Sequence, residues 1–485
     1  MTGDIVRMIS ILEVLPEYVL HWLVQNGKER YIQATEVLLK EEERNDSLFI
    51  VIDGLFGLSV KGVVGQSIEH YPSGSILGDL SFLTDGVLTE SIRAEEPSVV
   101  LEIPGTVLRE KLDNDHVYAA DFYKAVLSVI AQQHKHTAVK LYAAQRAVST
   151  DEMENPLVKR AQTEVERFKR TMVELDKEAL KQGSISDESA TAFLGQSSEL
   201  MLVCNEVLGP RSTLSDTIKG HIGARLQDEF LPYLLTTETA DRFYSKPRGY
   251  AGDYLAIHRI YQNIPGGTSR LGPLIDRMFL ETPPSHAVRN RRKILAEEIV
   301  ATVGSIPARP ARVLCMASGP ASEVFDAFEV LPDKSNLKVT LMDIDLQALA
   351  FVDEARNKRK LGTQLDLIHE NLIALYLGRS KTKIEPQHLI YSIGLIDYLS
   401  DKLVNKLLAY VYANLAPGGR VILGNSHPCN PAKEFMDYVL EWNLIHRTEE
   451  DMHRLFQHSE FGRPCSRIQF EAQGVNLFAE CVKEQ

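Results

Sequence analysis

The chain lacks paired cysteines. Its five, Cys204, Cys315, Cys429, Cys465 and Cys481, are scattered and odd in number, which argues against a disulfide framework or a zinc site and suits reduced thiols in a cytosolic protein. Positive charge is in deficit as well. The 53 Lys and Arg stand against 66 Asp and Glu, a net −13 at neutral pH, so no general affinity for nucleic acid or an anionic membrane is expected. No stretch stays apolar for the ~20 residues that a membrane helix requires. The opening "MTGDIVRMISILEVLPEYVL" is interrupted by acidic residues and does not read as a signal peptide. The expectation is a cytoplasmic protein with no metal, no nucleic-acid partner and no membrane partner. Glycine is missing where it would be most diagnostic. "ARVLCMASGPASEVF", Ala311 to Phe325, reads as a strand, a turn and the start of a helix. Nucleotide-binding turns of this kind usually carry three glycines, and this one keeps only Gly319.

What is present fills two or three domains, since 485 residues exceed one core. Residues from about 30 to 105 are strand-like runs punctuated by glycine, such as "SLFIVIDGLFGLSV". From Asp115 to about Ala147 the texture becomes one long helical pattern. Phe122, Val126, Ile130 and Leu141 fall roughly along one face, with no Gly or Pro to stop it. Such a helix packs either against its copy in a second subunit or against its own domain. A mostly helical region follows, to about Arg292. From Arg312 onward strand and helix alternate through "ARVLCMA", "KVTLMDI", "QLDLIHEN", "QHLIYSIG" and "GGRVILGN". This alternation predicts a parallel sheet covered by helices on both faces. The chain closes on two strand-like runs around Gly474. The expected segments are 1–115, 116–150, 151–290 and 291–485.

In an open parallel sheet a ligand sits beyond the C-terminal strand ends, where the strand order switches. The first turn must let the backbone approach it, and small residues recur there: Ala317, Gly319 and Ala321, with Ser318 and Pro320 between. The outer alanines are tolerable where no positive φ is required of them. A pyrophosphate on the helix N-terminus would suit such a loop less well. The second strand ends in "LMDID", placing Asp343, beside Ile344, where a carboxylate could accept both hydroxyls of a ribose. Asp345 suits the cap of the next helix. The third strand end offers Asn371, followed by Leu372, for an adenine edge; the fourth offers Ser392 and Gly394 as room at its tip. Pro417-Gly418-Gly419 precedes the fifth strand.

These elements resemble the S-adenosylmethionine-dependent class I methyltransferases over about 289–485. The resemblance implies a Rossmann-like α/β domain with S-adenosyl-L-methionine as cofactor. The sequence departs from the family at Cys315, where an acidic residue is usual, and at the alanines replacing the outer glycines. Upstream, "FYSKPRGYAGDYLAIHRIY" reads either as an elaborate helix–helix turn or as a lid. In the second reading Tyr250, Gly252 and Asp253 close over the cofactor's amino-acid end, with Asp253 facing its ammonium, and Lys246 or Arg248 meets an acidic substrate. "HAVRNRRKIL", with Arg289, Arg291, Arg292 and Lys293, reads as a solvated helix face or as the source of a carboxylate clamp by one of its arginines, with Arg292 taken as the substrate-binding residue. Together with "ASGPASE", the "KPRGYAGDY" loop resembles bacterial synthases of 3-hydroxy fatty acid methyl esters, which make quorum-sensing signals. That resemblance covers about 200–485 and implies methylation of a fatty-acid carboxylate.

A carboxylate needs no general base (pKa ~4 to 5), whereas a phenol or alcohol would benefit from one. His427 in "GNSHPCN" reads either as a loop-stabilising donor or as the catalytic candidate for that case, and Tyr398 as core or as a wall of the acceptor pocket. The strand-rich segment of about 10–145 resembles the cyclic-nucleotide-binding β-roll, through Gly54, Gly74, Gly78 and the run "SIRAEEPSVVLEI". In that family a Gly-Glu pair holds the ribose and an Arg pairs with the phosphate. Here Asp79 stands for the Glu and Leu88 for the Arg, while Arg93 should alternate to the wrong face. A phosphate without a guanidinium is costly to bury, so cyclic-nucleotide binding is not expected. The fold expected is therefore multidomain: an N-terminal cyclic-nucleotide-binding-like β-roll with a long helix, a central helical region and a C-terminal α/β Rossmann-like methyltransferase domain. The expected partners are a small-molecule acyl substrate and a second copy in a homodimer. The rival readings are a non-catalytic signalling protein with a degenerate methyltransferase fold, and methyl transfer to a phenolic metabolite or a protein side chain.

Overall fold

The computed structural model describes residues 15–59, 69–72, 75–78, 82, 88, 90–127, 154–307, 309–371 and 382–484. The chain divides into two compact units. One comprises Met1–Lys135, His369–Ile384 and Tyr398–Leu407, the other His136–Ile368, Glu385–Asp397 and Leu408–Gln485.

The first unit holds eight described strands: β1 (Lys28–Ile32), β2 (Val37–Leu39), β3 (Ser47–Asp53), β4 (Leu55–Ser59), β5 (Glu69–Pro72), β6 (Ile76–Leu77), β7 (Ser91–Ala94) and β8 (Ser98–Pro104). They form two four-stranded sheets, β1-β8-β3-β6 and β2-β7-β4-β5, whose pairings are antiparallel. Strand β3 explains why its sequence is an unbroken apolar run. Leu48, Ile50 and Ile52 face one cluster with Leu15, Val19, Leu23 and Leu108, whereas Phe49 and Val51 face another with Phe56, Ile92 and Ala94. A strand buried on both faces loses the polar alternation of a surface strand. Gly54 turns β3 into β4 at φ +105°, where any side chain would strike Ser98.

The helical pattern expected from Asp115 begins at 116 and is described to 127, preceded by a separate helix Gly105–Asn114. Phe122 and Val126 pack in their own unit's core with Tyr118. Ile130 and Leu141, Gly74 and Asp79 lie outside the described residues, as does Leu372.

The second unit begins with the helices Pro156–Gln182, Asp187–Leu208 and Asp216–Leu234. Their ends follow the sequence. Asn155, Ser186 and Ser215 cap the N-termini with side-chain oxygens, and Gly183 closes the first at φ +78°. Phe168, Phe193, Phe230 and Phe435 centre the core these helices share. Seven strands follow: β9 (Ala311–Met316), β10 (Leu337–Asp343), β11 (Leu365–His369), β12 (Gln387–Ile393), β13 (Leu415–Ser426), β14 (Arg467–Phe470) and β15 (Asn476–Val482). Their order is β11-β10-β9-β12-β13-β15-β14. Strand β9 pairs parallel with β10 and β12, and β12 with β13, while β15 runs antiparallel to β13 and β14. The order advances outward from β9 to β11 and then jumps back to β12. The β9/β12 crevice is therefore the topological switch point.

Candidate functional site

The turn leaving β9 corrects one premise of the sequence reading. Ala317, Gly319 and Ala321 all take left-handed backbone, at φ +55°, +51° and +48°. The alanines therefore keep the conformation that glycine would give cheaply, at a cost of roughly 1–2 kcal/mol each. Strain held by a well-packed surround is a signature of functional turns. Ala321 is fully buried, whereas a Cβ placed on Gly319 would meet nothing within 4 Å. Ser318 donates its backbone N–H to Met342, yet its buried hydroxyl has no hydrogen-bond partner. An open glycine beside an orphaned hydroxyl fits a ligand seated on this turn.

Asp343 closes β10 and is itself buried. One carboxylate oxygen accepts the Gly319 N–H at 2.8 Å and the other accepts the Asp345 N–H at 2.9 Å. When ionised the carboxylate is acceptor-only, which suits the hydroxyls of a diol. Burial pushes the carboxyl up to about 6, and the backbone N–H groups of Asp345, Gly319 and Ile344 oppose the rise. Ile344 beside it is half-buried. Asp345 accepts the Gln347 N–H and caps the helix Leu346–Lys358.

The 246–253 loop joins the helix Thr239–Ser245 to Tyr254–Gln262. Arg248 binds Asp345 bidentately at 2.6 and 3.0 Å. Burial among Asp343, Asp345 and Asp253 drives the Tyr250 phenol well above its ordinary value. The loop therefore does lie against the end of β10, with Gly252 half-buried in it. Its charged residues have other duties than those expected. Asp253 caps the helix Tyr254–Gln262 and pairs with Arg242 at 2.8 Å, so it is not free for an ammonium. Lys246 donates to the Glu441 carbonyl and Arg248 is held by Asp345, which leaves neither as an acid-binding cation.

Further corrections follow the same logic. Arg292 is locked to Asp326 at 2.6 and 2.7 Å and lies over the Tyr261 ring. Ser392 staples β12 to β9 by donating to the Met316 carbonyl at 2.8 Å. Gly394, at φ +80°, lies beneath the Arg291 guanidinium. Asn371 donates its side-chain amide to the Ile52 carbonyl rather than presenting it to an adenine, and groups with the first unit, as Tyr398 does. His427 accepts the Cys429 N–H on Nδ1, within the loop after β13, and meets Glu449 of the helix Glu449–Gln457 at 3.2 Å through Nε2.

Sequence reasoning missed Glu323 and, among the arginines of "HAVRNRRKIL", did not single out Arg291. Glu323, eight positions after Cys315, is buried, accepts the Tyr391 hydroxyl at 2.8 Å and acts electrostatically on the Cys315 thiol. Its signal was an acidic residue in the first turn of the helix Ser322–Val330. Among the described residues no cluster of His, Cys, Asp and Glu could hold a metal ion, and no helix is long and apolar enough to cross a membrane.

No curated protein matches the chain. Among solved structures, a possible exported protein from Bordetella parapertussis is similar at 19% identity and TM-score 0.43, over 62% of this chain and all of the other. Magnesium protoporphyrin IX methyltransferase from Synechocystis, solved with S-adenosylhomocysteine, is similar at 11% and TM-score 0.35, over 51% of this chain and 99% of that one. The N-terminal domain of a transcriptional regulator from Streptomyces coelicolor is similar at 18% and TM-score 0.24, over 27% and 94%. Two protein-family models match: "Cyclic nucleotide-binding domain" over residues 29–115 and "Putative methyltransferase" over residues 249–475. The chain thus joins a cyclic-nucleotide-binding-like domain to a methyltransferase-like region.

Proposed function

We propose that the protein is an S-adenosylmethionine-dependent O-methyltransferase that esterifies the carboxylate of a fatty or 3-hydroxy fatty acid. The observation that carries the reading is the left-handed Ala317–Ala321 turn, braced by Asp343 at the switch point of a seven-stranded sheet. The family match over residues 249–475 supports methyl transfer as the reaction class. When bound, the cofactor supplies a sulfonium methyl group to an in-line nucleophile. Asp343 would accept the ribose hydroxyls, and the Ser318 hydroxyl would hydrogen-bond the bound nucleoside. Tyr250 and the Arg248–Asp345 pair would exclude water from the end of β10. An acid acceptor is ionised at neutral pH, which agrees with a site whose one histidine candidate is already engaged.

The N-terminal unit reads as a docking or homodimerisation module and not as a cyclic-nucleotide receptor. Arg93 points outward between the buried Ile92 and Ala94, and Leu88 packs against the apolar cluster between the sheets. The reaction is tested by incubating the protein with methyl-labelled cofactor and a panel of fatty, phenolic and peptide acceptors, followed by mass spectrometry. Labelled methyl esters are expected. Label on phenols or protein alone would move the acceptor class, and no label on any acceptor would favour the non-catalytic alternative.

A further inference from the structure

Arg291 is half-buried on the helix Pro283–Ser305. Its charge acts on the Tyr261 phenol, and its Nη1 lies 3.4 Å from where a Cβ would stand on Gly394. Gly394 follows β12 directly. Because β12 runs parallel to β9, with Tyr391 paired to Cys315, Gly394 and the Ala317–Gly319 turn both lie just past the C-terminal ends of these neighbouring strands. The guanidinium therefore stands over the crevice at the switch point.

Its neighbours have spent their charge. Arg292 is paired with Asp326, Arg248 with Asp345, Arg242 with Asp253, and Arg277 with Glu281. Among the described residues no carboxylate pairs with Arg291. Glu323 and Asp397 act on it only at longer range; each is buried and already held, Glu323 by the Tyr391 hydroxyl and Asp397 by the Ser426 N–H. A half-buried guanidinium with donors to spare is suited to a carboxylate, which its planar fork can grip with two parallel bonds.

We propose that Arg291 is the carboxylate-recognition residue of the β9/β12 crevice. This rests on the methyltransferase reading, in which a carboxylate has two sources: the aminoacyl end of the cofactor and the acceptor acid. The test titrates full-length wild type and R291M with S-adenosylhomocysteine and with 5′-methylthioadenosine, which keeps the nucleoside and thioether but lacks the aminoacyl group. Each protein saturated with S-adenosylhomocysteine is then titrated with decanoate.

An affinity for S-adenosylhomocysteine about 30-fold weaker in R291M, with methylthioadenosine within threefold of wild type, assigns Arg291 to the cofactor carboxylate; that range is ordinary for a charge-assisted hydrogen bond. Unchanged S-adenosylhomocysteine with decanoate binding lost assigns it to the acceptor. Equal losses for both nucleosides, or no change in any titration, overturn the proposal while leaving the methyltransferase reading intact. Wild type that binds neither nucleoside removes the reading itself. R291K keeps the charge without the fork and should recover only part of the loss. It decides by the same comparison if R291M does not fold.

Discussion

Asp343 answers to two opposed demands. Its burial favours the protonated form, with a value of about 6, whereas a ribose needs the ionised form as acceptor. As pH falls through 6 the acceptor is lost, so affinity for S-adenosylhomocysteine should drop about tenfold between pH 7 and pH 5, read by calorimetry. D343N should show no such slope, and a flat wild-type profile would contradict the assignment. The stability effect has the opposite sign. Because the folded state binds this proton more tightly than the unfolded chain, Asp343 favours folding more as pH falls through 6 toward the ordinary carboxyl range. The two alanines make a separate prediction. Ala321 is buried at positive φ, so Ala321→Val should destabilise by about 2–3 kcal/mol in chemical denaturation, through overpacking and a backbone closed to β-branched residues. Ala317→Gly should be close to neutral, since relief of the left-handed conformation is offset by the entropy of glycine. A stability unmoved by Ala321→Val would mean that this turn is not strained. Asp343 was legible because it ends an apolar run; the positive φ of the alanines was not, because alanine carries no mark of it. Nor could a run of three basic residues on a helix reveal that Arg292 finds Asp326 while Arg291 faces the crevice, since the partners come from other elements.

At the scale of elements, the strands of the large sheet were readable because each is a short apolar run bounded by turn residues, and the closing antiparallel pair follows from the turn at Gly474. The 246–253 loop was readable as unusual but not as to what its charges do. Its attachment is the Arg248–Asp345 pair, with side chains 17% and 3% exposed. Removing one partner of a largely buried pair leaves the other uncompensated. Arg248→Ala should therefore speed amide exchange in residues 246–253 and at the start of the helix Tyr254–Gln262. It should also weaken cofactor binding while leaving exchange in β12 and β13 unchanged. Exchange in the loop that stays at the wild-type rate would show that the pair does not hold it.

At the scale of the whole molecule, the order of a β-roll followed by an α/β domain was legible from texture alone, since the first is all short strands and the second alternates. The grouping of His369–Ile384 and Tyr398–Leu407 with the N-terminal unit was not, because nothing in those segments' composition separates them from the sheet they interrupt. The outward Arg93 and the apolar Leu88 predict that neither cyclic AMP nor cyclic GMP gives binding heat at millimolar concentration; saturable binding of either would restore a sensor role to the first unit. The account as a whole stands on the claim that the β9/β12 crevice holds an adenosyl sulfonium. Calorimetric titration of the full-length protein with S-adenosylhomocysteine at pH 7.5 tests this most directly. Saturable one-site binding that is lost in Asp343→Ala is the predicted result, and an absence of binding, or an affinity indifferent to Asp343, would contradict it.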